Sequence, residues 1–309
     1  MDMTEKQAMY DRIKGALYGE AVGDCLGAPV EFLSAEVIKR KFGMVTDFLG
    51  GGHLHLAPGV GTDDTAMTLA VAEGLMKTGA NDDPVEKIGC EFVKWFTGYP
   101  VGIGGTCYQS IDGASNGGRI ACPSREMWMA ASKLTDVILQ GRSGGNGTLM
   151  RTVPVALLLK GDNRDRVAWD VSAMTHYDPD AAEACVLYCR IIEKLIIGYD
   201  LYTALESVLS GTEYSYPVET PIPSGYVKDS FKTALWGLKS TQNFEDCLIR
   251  IVNLGGDSDT TGAIAGGIAG AVYGYSGIPE RWKNALDDKL KDRMEPCITK
   301  AAEVWECRG

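Results

Sequence analysis

The sequence predicts an all-α fold, on three observations. Apolar residues recur at helical spacing in one stretch after another, alternating strand patterns are scarce, and glycine and proline gather between the helical stretches. Of the 309 residues 45% are hydrophobic and 23% charged, which suits a folded globular chain with a large core.

Taken in order, the first helix is expected over 5–22, where Met9, Ile13, Ala16 and Leu17 share a face. Similar stretches follow at 65–77, 84–96 and 125–139. Over 181–197, Cys185, Cys189, Ile192 and Ile196 fall on one face, and two shorter helices are expected at 230–239 and 245–253. Loops rich in glycine and proline separate them at 50–61, 99–105, 141–147 and 214–225. Over 263–274 the small residues Gly266, Gly270 and Gly274 stand four apart, so another backbone can approach closely; acids just ahead of them point to a buried central helix beside a site rather than a membrane contact. No internal repeat, low-complexity segment or separating linker stands out, so residues 1–309 are expected to form a single domain with long glycine-rich functional loops.

The net charge of −11 and the pI near 4.9 argue against nucleic acid as a partner, since that needs basic patches. A small anion is not excluded, because backbone N–H groups and metals can hold one. The nine cysteines (Cys25, Cys90, Cys107, Cys122, Cys185, Cys189, Cys247, Cys297 and Cys307) include no zinc-like pair and are expected to be free, buried thiols in a reducing cytosol. Residues 1–6 are polar with no apolar run after a basic start, so no secretory signal is expected, and the most apolar run, 263–275, is shorter than the about 20 residues a bilayer needs. A cytoplasmic protein with no membrane partner is expected.

Two acidic clusters carry the chemistry. Gly61-Thr62-Asp63-Asp64-Thr65 and Gly255-Gly256-Asp257-Ser258-Asp259-Thr260 each open a very apolar helical run. An aspartate or threonine there could simply cap a helix. Capping needs one oxygen, however, and two such clusters would bring four carboxylates to the edge of the core with no Lys or Arg within either. Divalent cations would neutralise them. An all-oxygen set without Cys or His favours Mg²⁺ or Mn²⁺, and so many acids suit two ions about 3.5–4 Å apart.

Glu31, set among Ala28, Pro29, Val30 and Phe32, is an isolated acid whose apolar neighbours could raise its pKa for proton transfer, although an exposed loop glutamate is the plainer reading. The stretch from Arg142 through Ser143, Gly144, Gly145, Asn146 and Gly147 to Arg151 is a glycine loop that could cradle phosphate, but it lacks the Gly-Lys-Ser/Thr of a P-loop. Of the three histidines, His176 suits a capping or packing role, and His53 and His55 are expected to be exposed.

In this order the motifs resemble the ADP-ribosylglycohydrolase family, which includes the enzyme that reactivates dinitrogenase reductase. The resemblance runs from Arg12-Ile13-Lys14-Gly15 through Gly23-Asp24 to Ile278-Pro279-Glu280-Arg281-Trp282, and its specific parts are the two acidic clusters, Gly145-Asn146-Gly147-Thr148-Leu149-Met150-Arg151, and Thr175-His176. It implies an all-α orthogonal helical bundle and a binuclear Mg²⁺ or Mn²⁺ centre with Thr62, Asp63, Asp64, Asp257, Asp259 and Thr260 as ligands. Glu31 matches the family's acid near the metals and, with Asp63 and Asp259, is the expected catalytic group. Ser143, Gly144, Gly145, Asn146, Gly147 and His176 match positions that hold ADP-ribose, and Gly102, Ile103, Gly104, Gly105 and Thr106 match a loop along the phosphates and distal ribose. Some relatives begin that loop with an aspartate where this chain has Gly102, which leaves the released group open.

The implied activity is metal-dependent hydrolysis of the glycosidic bond at C1″ of ADP-ribose through an oxocarbenium-like transition state. The expected substrate is mono-ADP-ribosylated protein, with arginine favoured over serine as the released side chain, and ADP-ribose as product. Rival expectations are a hydrolase of small ADP-ribose conjugates, a metal-dependent phosphoesterase, and a non-catalytic ADP-ribose binder.

Overall fold

The computed structural model describes residues 3–98, 100–215 and 219–306. Cys307 and small parts of the loops predicted at 99–105 and 214–225 lie outside the described residues. Within them there are fifteen α-helices and no strand, only isolated bridges between loops. In chain order these are α1 (Met3–Gly27), α2 (Ala35–Phe42), α3 (Asp63–Met76), α4 (Pro84–Phe96) and α5 (Gly105–Ser115). Next come α6 (Arg125–Ile138), α7 (Val153–Leu158), α8 (Gly161–Ala173), α9 (Pro179–Ile196) and α10 (Leu201–Leu209). The last are α11 (Val227–Lys239), α12 (Phe244–Val252), α13 (Ser258–Tyr273), α14 (Glu280–Ala285) and α15 (Asp288–Glu306). The predicted all-α class holds.

Two helices form the axis. Every residue of α1 from Gly15 to Gly27 is buried, and so is every residue of α13 from Ser258 to Ala271. Burial on all faces marks a helix at the centre of a bundle. They run antiparallel with backbones nearly touching: a Cβ on Gly15 would lie 2.3 Å from the Gly270 carbonyl oxygen, one on Gly19 2.1 Å from that of Gly266, and one on Gly23 2.0 Å from that of Gly262. No side chain fits there. The predicted stripe is thus half of a pair whose other half lies on α1, and its last member, Gly274, instead ends α13 at φ 72°. Antiparallel packing sets the C-terminal end of α1, with Asp24, beside the start of α13, with Asp257 and Asp259.

The N-terminus of α3 docks on the same point. Asp24 accepts from the Thr62 N–H at 2.9 Å and the Thr65 N–H at 3.1 Å. A carboxylate is favourable there because the first N–H groups of a helix lack partners and its dipole is positive at that end. The remaining helices pack in layers around this axis, their apolar faces merging into one core that includes Ile13, Leu17, Met67, Ile191 and Ile268.

Sequence periodicity missed α2, α5, α7, α8, α10, α14 and α15. Helix α8 buries Arg164, Val167, Ala168 and Val171 at helical spacing amid polar residues, and α15 carries Pro296 inside it, which reads as a breaker. One expectation is corrected: Cys90 of α4 and Cys122, in the loop before α6, form a disulfide with Cα atoms 4.4 Å apart. Their separation of 32 residues gives no hint of this, because the loop must fold back onto α4 before the thiols meet. Cys25, Cys107, Cys185, Cys189, Cys247 and Cys297 are free and buried, as expected. No helix among the described residues is long and apolar enough to cross a membrane.

Candidate active site

The acidic clusters converge. Carboxylate oxygens of Asp24, Asp64 and Asp259 lie within 4.8 Å of one another, and so do those of Glu31, Asp257 and Asp259. Asp259 belongs to both groups. Their elements explain the meeting: Asp64 sits on the first turn of α3 and Asp259 on the first turn of α13, both set against Asp24 by the contacts above. Asp24 is the member that spacing missed; the glycines around it, four apart and matching those of α13, were the available signal.

These carboxylates face the core rather than water. Asp24, Asp63, Asp64 and Asp259 are all buried. Burial first, then the charge of neighbouring carboxylates, pushes the pKa values of Asp63, Asp64 and Asp259 well above the usual range. Asp24 is also raised by burial, against the pull of the hydrogen bonds it accepts from Thr65 and Thr62. One turn earlier, Glu20 is fully buried and raised by burial and by Asp24; spacing gave no sign of it. Asp64 Oδ2 has no hydrogen-bond partner. An orphaned buried carboxylate oxygen among like charges, with only oxygen donors around it, fits a divalent cation.

The other predicted ligands are near but differently engaged. Thr260 Oγ1 donates to Asp64 Oδ1 at 3.3 Å, and Thr62 Oγ1 accepts from the Asp64 N–H at 3.2 Å as the N-cap of α3. Asp63 points toward Gly102, where a Cβ would lie 2.8 Å from Asp63 Oδ1 at a φ of 88°, so this position favours glycine. Asp257 Oδ2 accepts from Asn146 Nδ2 at 2.7 Å.

Above the acids lies a cleft of about 220 Å³ lined by Glu31, Asp63, Gly104, Asn146, His176 and Asp257 among others. A larger cleft of about 390 Å³ between α3, α8 and α15 holds no such convergence of acids among the described residues. Gly104, Gly105 and Thr106 bring to the cleft the N-terminus of α5, which no side chain caps, so its N–H groups are available to an anion. Gly145, Asn146 and Gly147 line the opposite wall, held by the Asn146 N–H donating to the Gly225 carbonyl at 3.0 Å. Ser143 and Gly144 are set back: Ser143 Oγ donates to Asp136 Oδ1 at 2.6 Å, and Gly144 rests against Asp178 and Tyr226.

His176 is buried at the cleft wall and held from behind. Arg151, fully buried with no carboxylate partner, donates to the Gly147 carbonyl at 2.8 Å and to Thr175 Oγ1 at 2.7 Å. Thr175 Oγ1 lies 2.8 Å from His176 Nδ1. A hydroxyl that accepts from a guanidinium has its proton to give, so Nδ1 accepts and Nε2 keeps its hydrogen. Burial and the Arg151 charge push the His176 pKa down to about 3. The ring is therefore a neutral Nε2–H donor.

Glu31 is only partly buried, and burial followed by the negative charge of Asp257 raises its pKa to about 7. His53 Nε2 stands 3.5 Å from Glu31 Oε2, a contact the sequence did not suggest, although both His53 and His55 are exposed as expected.

Comparison with known proteins gives the family. The ADP-ribosylglycohydrolase profile matches residues 5–308. The chain belongs to the ADP-ribosylglycohydrolase family. It is similar to the ADP-ribosyl-[dinitrogen reductase] glycohydrolase of Rhodospirillum rubrum, with 36% identity over 92% of this chain and 93% of that one. It is also similar to the ADP-ribosylarginine hydrolase Tri1 of Pseudomonas putida, with 31% identity over 98% of this chain and 82% of the relative. A solved structure described as an ADP-ribosylglycohydrolase-related protein complex superposes with a TM-score of 0.76 at 28% identity, covering 96% of this chain and 99% of that chain.

Proposed function

We propose that this protein hydrolyses the C1″ glycosidic bond of mono-ADP-ribosylated protein side chains, arginine first and serine second, with two Mg²⁺ or Mn²⁺ ions. The observation that carries this reading is the pair of carboxylate groups sharing Asp259 at the floor of one cleft. Asp24, Asp64 and Asp259 would hold one ion and Asp257 with Asp259 the other, Asp63, Thr62 and Thr260 completing the set. When bound, such a pair neutralises the acids and fixes the hydroxyls of the distal ribose.

The chain's own groups do the rest. The N–H groups at the start of α5 and the Gly147 N–H take the diphosphate oxygens, those of Gly145 and Asn146 being donated to the Ser143 and Gly225 carbonyls, with the His176 Nε2–H as a further neutral donor. Glu31, half-buried with a pKa near 7, is suited to exchange a proton near neutrality, and we assign it to the water that attacks C1″. The C1″–N bond breaks with its electron pair passing to the guanidine, the water oxygen bonds to C1″, and the proton removed from that water passes by way of Glu31 to the guanidine. Positioning the ribose against this acid converts an encounter into a step within one complex.

Incubation with arginine- and serine-linked ADP-ribosyl peptides, with and without Mg²⁺ or Mn²⁺, tests the proposal. Free ADP-ribose released only with metal is the expected result. AMP or phosphate as product would show a phosphoesterase instead, and binding without turnover a non-catalytic receptor.

A further inference from the structure

We infer that Phe32 forms a leaving-group subsite that takes a planar cation, the guanidinium of ADP-ribosylated arginine, against its ring. The inference rests on the hydrolase reading above and extends it to the other side of the scissile bond.

Phe32 is 70% exposed yet lines the cleft beside the acids. Its backbone has φ 61°, a conformation bulky L residues rarely adopt. The chain holds it there: the Phe32 N–H donates to the Gly256 carbonyl at 2.7 Å and the Gly256 N–H to the Leu33 carbonyl at 2.8 Å, tying Phe32 to the loop that carries Asp257. A strained backbone that keeps an apolar ring in water, pinned by residues next to an acidic cluster, is the pattern of a functional position, because burial would otherwise favour relaxing the ring inward.

Position and charge name the ligand. His53 meets both the Glu31 carboxylate, at 3.5 Å, and the Phe32 ring, so on the hydrolase reading the ring belongs with the C1″ bond and not with the adenine, a diphosphate and two riboses away. His53 is tilted against the ring with centroids 5.3 Å apart, fixing one edge and leaving a face open. Glu31, Asp63, Asp64, Asp257 and Asp259 line the cleft, and among the described residues no Lys or Arg does. An aromatic face attracts a cation, Glu31 beside it is not among the acids assigned to the ions, and a guanidinium also matches the ring in shape. A serine hydroxyl gains nothing from either.

The test compares the wild type with Phe32→Leu and Phe32→Tyr, both under the same backbone constraint as the native residue. Phe32→Leu is expected to lower kcat/KM on an ADP-ribosyl-arginine peptide about tenfold, and Phe32→Tyr to restore it. Calorimetry with ADP-ribose, which lacks the leaving group, is expected to show a Kd changed less than twofold. Full kcat/KM in Phe32→Leu, or an equal loss of ADP-ribose affinity, would overturn the subsite while leaving the hydrolase reading intact. A second readout needs no turnover: in Mg²⁺-loaded protein labelled with 4-fluorophenylalanine, the resonance missing from Phe32→Leu should move with N-acetyl-arginine amide and not with N-acetyl-serine amide. A selective shift in a protein that cleaves neither peptide would keep the subsite and sink the hydrolase. Equal shifts, or none, would sink the subsite.

Discussion

Asp64 and Asp259 show how burial makes an ordinary acid suited to hold a cation. Each is raised well above its usual pKa by burial and by its neighbours, so without a cation the site must hold protons or suffer repulsion. Asp259→Asn is expected to keep the fold and to cut turnover at least a hundredfold, with activity assays and circular dichroism as the two measurements. Glu31→Gln is expected to lose turnover while ADP-ribose still binds by calorimetry, because its role is the proton and not the ligand. At the cleft wall, Arg151 and Thr175 fix His176 as the Nε2–H tautomer. In ¹⁵N-labelled protein the His176 ring is therefore expected to show a protonated Nε2 and no titration between pH 5 and 8. Thr175→Val should release that tautomer and cost about 1–3 kcal/mol, since it strands a buried guanidinium hydrogen.

At the scale of elements, the contact between α1 and α13 decides whether the acids meet. Gly19→Ala would drive a methyl into the Gly266 carbonyl, 2.1 Å away, and the obstacle is backbone that cannot rotate aside. A loss of about 1–3 kcal/mol or more is expected in urea titration. Because the same displacement separates Asp24 from Asp259, the variant that still folds should also bind Mg²⁺ more weakly than wild type. The helices were legible in sequence where one face is apolar, as in α4 and α9. They were obscure where polar residues hide a narrow buried stripe, as in α8, or where a proline interrupts, as in α15. The acidic clusters were legible because each opens an apolar helix. Asp24 was not, since it sits in the last turn of α1 without another acid beside it and acquires partners only from residues 38 and more positions away.

At the scale of the molecule, stability and metal binding are linked through pH. Unfolded carboxyls titrate near pH 4. The buried acids have raised values, so between the two the folded state binds more protons, and stability falls as pH rises through that window. His176, with its lowered value, acts in the opposite sense but only below the ordinary imidazole range. Metal-free protein is therefore expected to lose thermal stability as pH rises past the ordinary imidazole range, through the value of about 7 to which Glu31 is raised. Mg²⁺ should raise the Tm and flatten that dependence, by about 2.7 kcal/mol at a hundred times its Kd. Calorimetric scans with chelator and with Mg²⁺ across that range make the measurement; parallel curves would contradict a site among these acids.

Sequence by itself determined the helical class, the two acidic loops at helix starts, the glycine wall and the small-residue stripe, because each is a pattern of neighbours and needs no knowledge of what lies across the core. Tertiary structure alone decided that Asp24 joins the acids, that Cys90 meets Cys122, that His53 stands by Glu31 and that Phe32 is held out in water. Those facts depend on contacts between distant segments, which for Asp24 are fixed by how closely two glycine-lined helices can approach, and a linear spacing carries no record of such contacts.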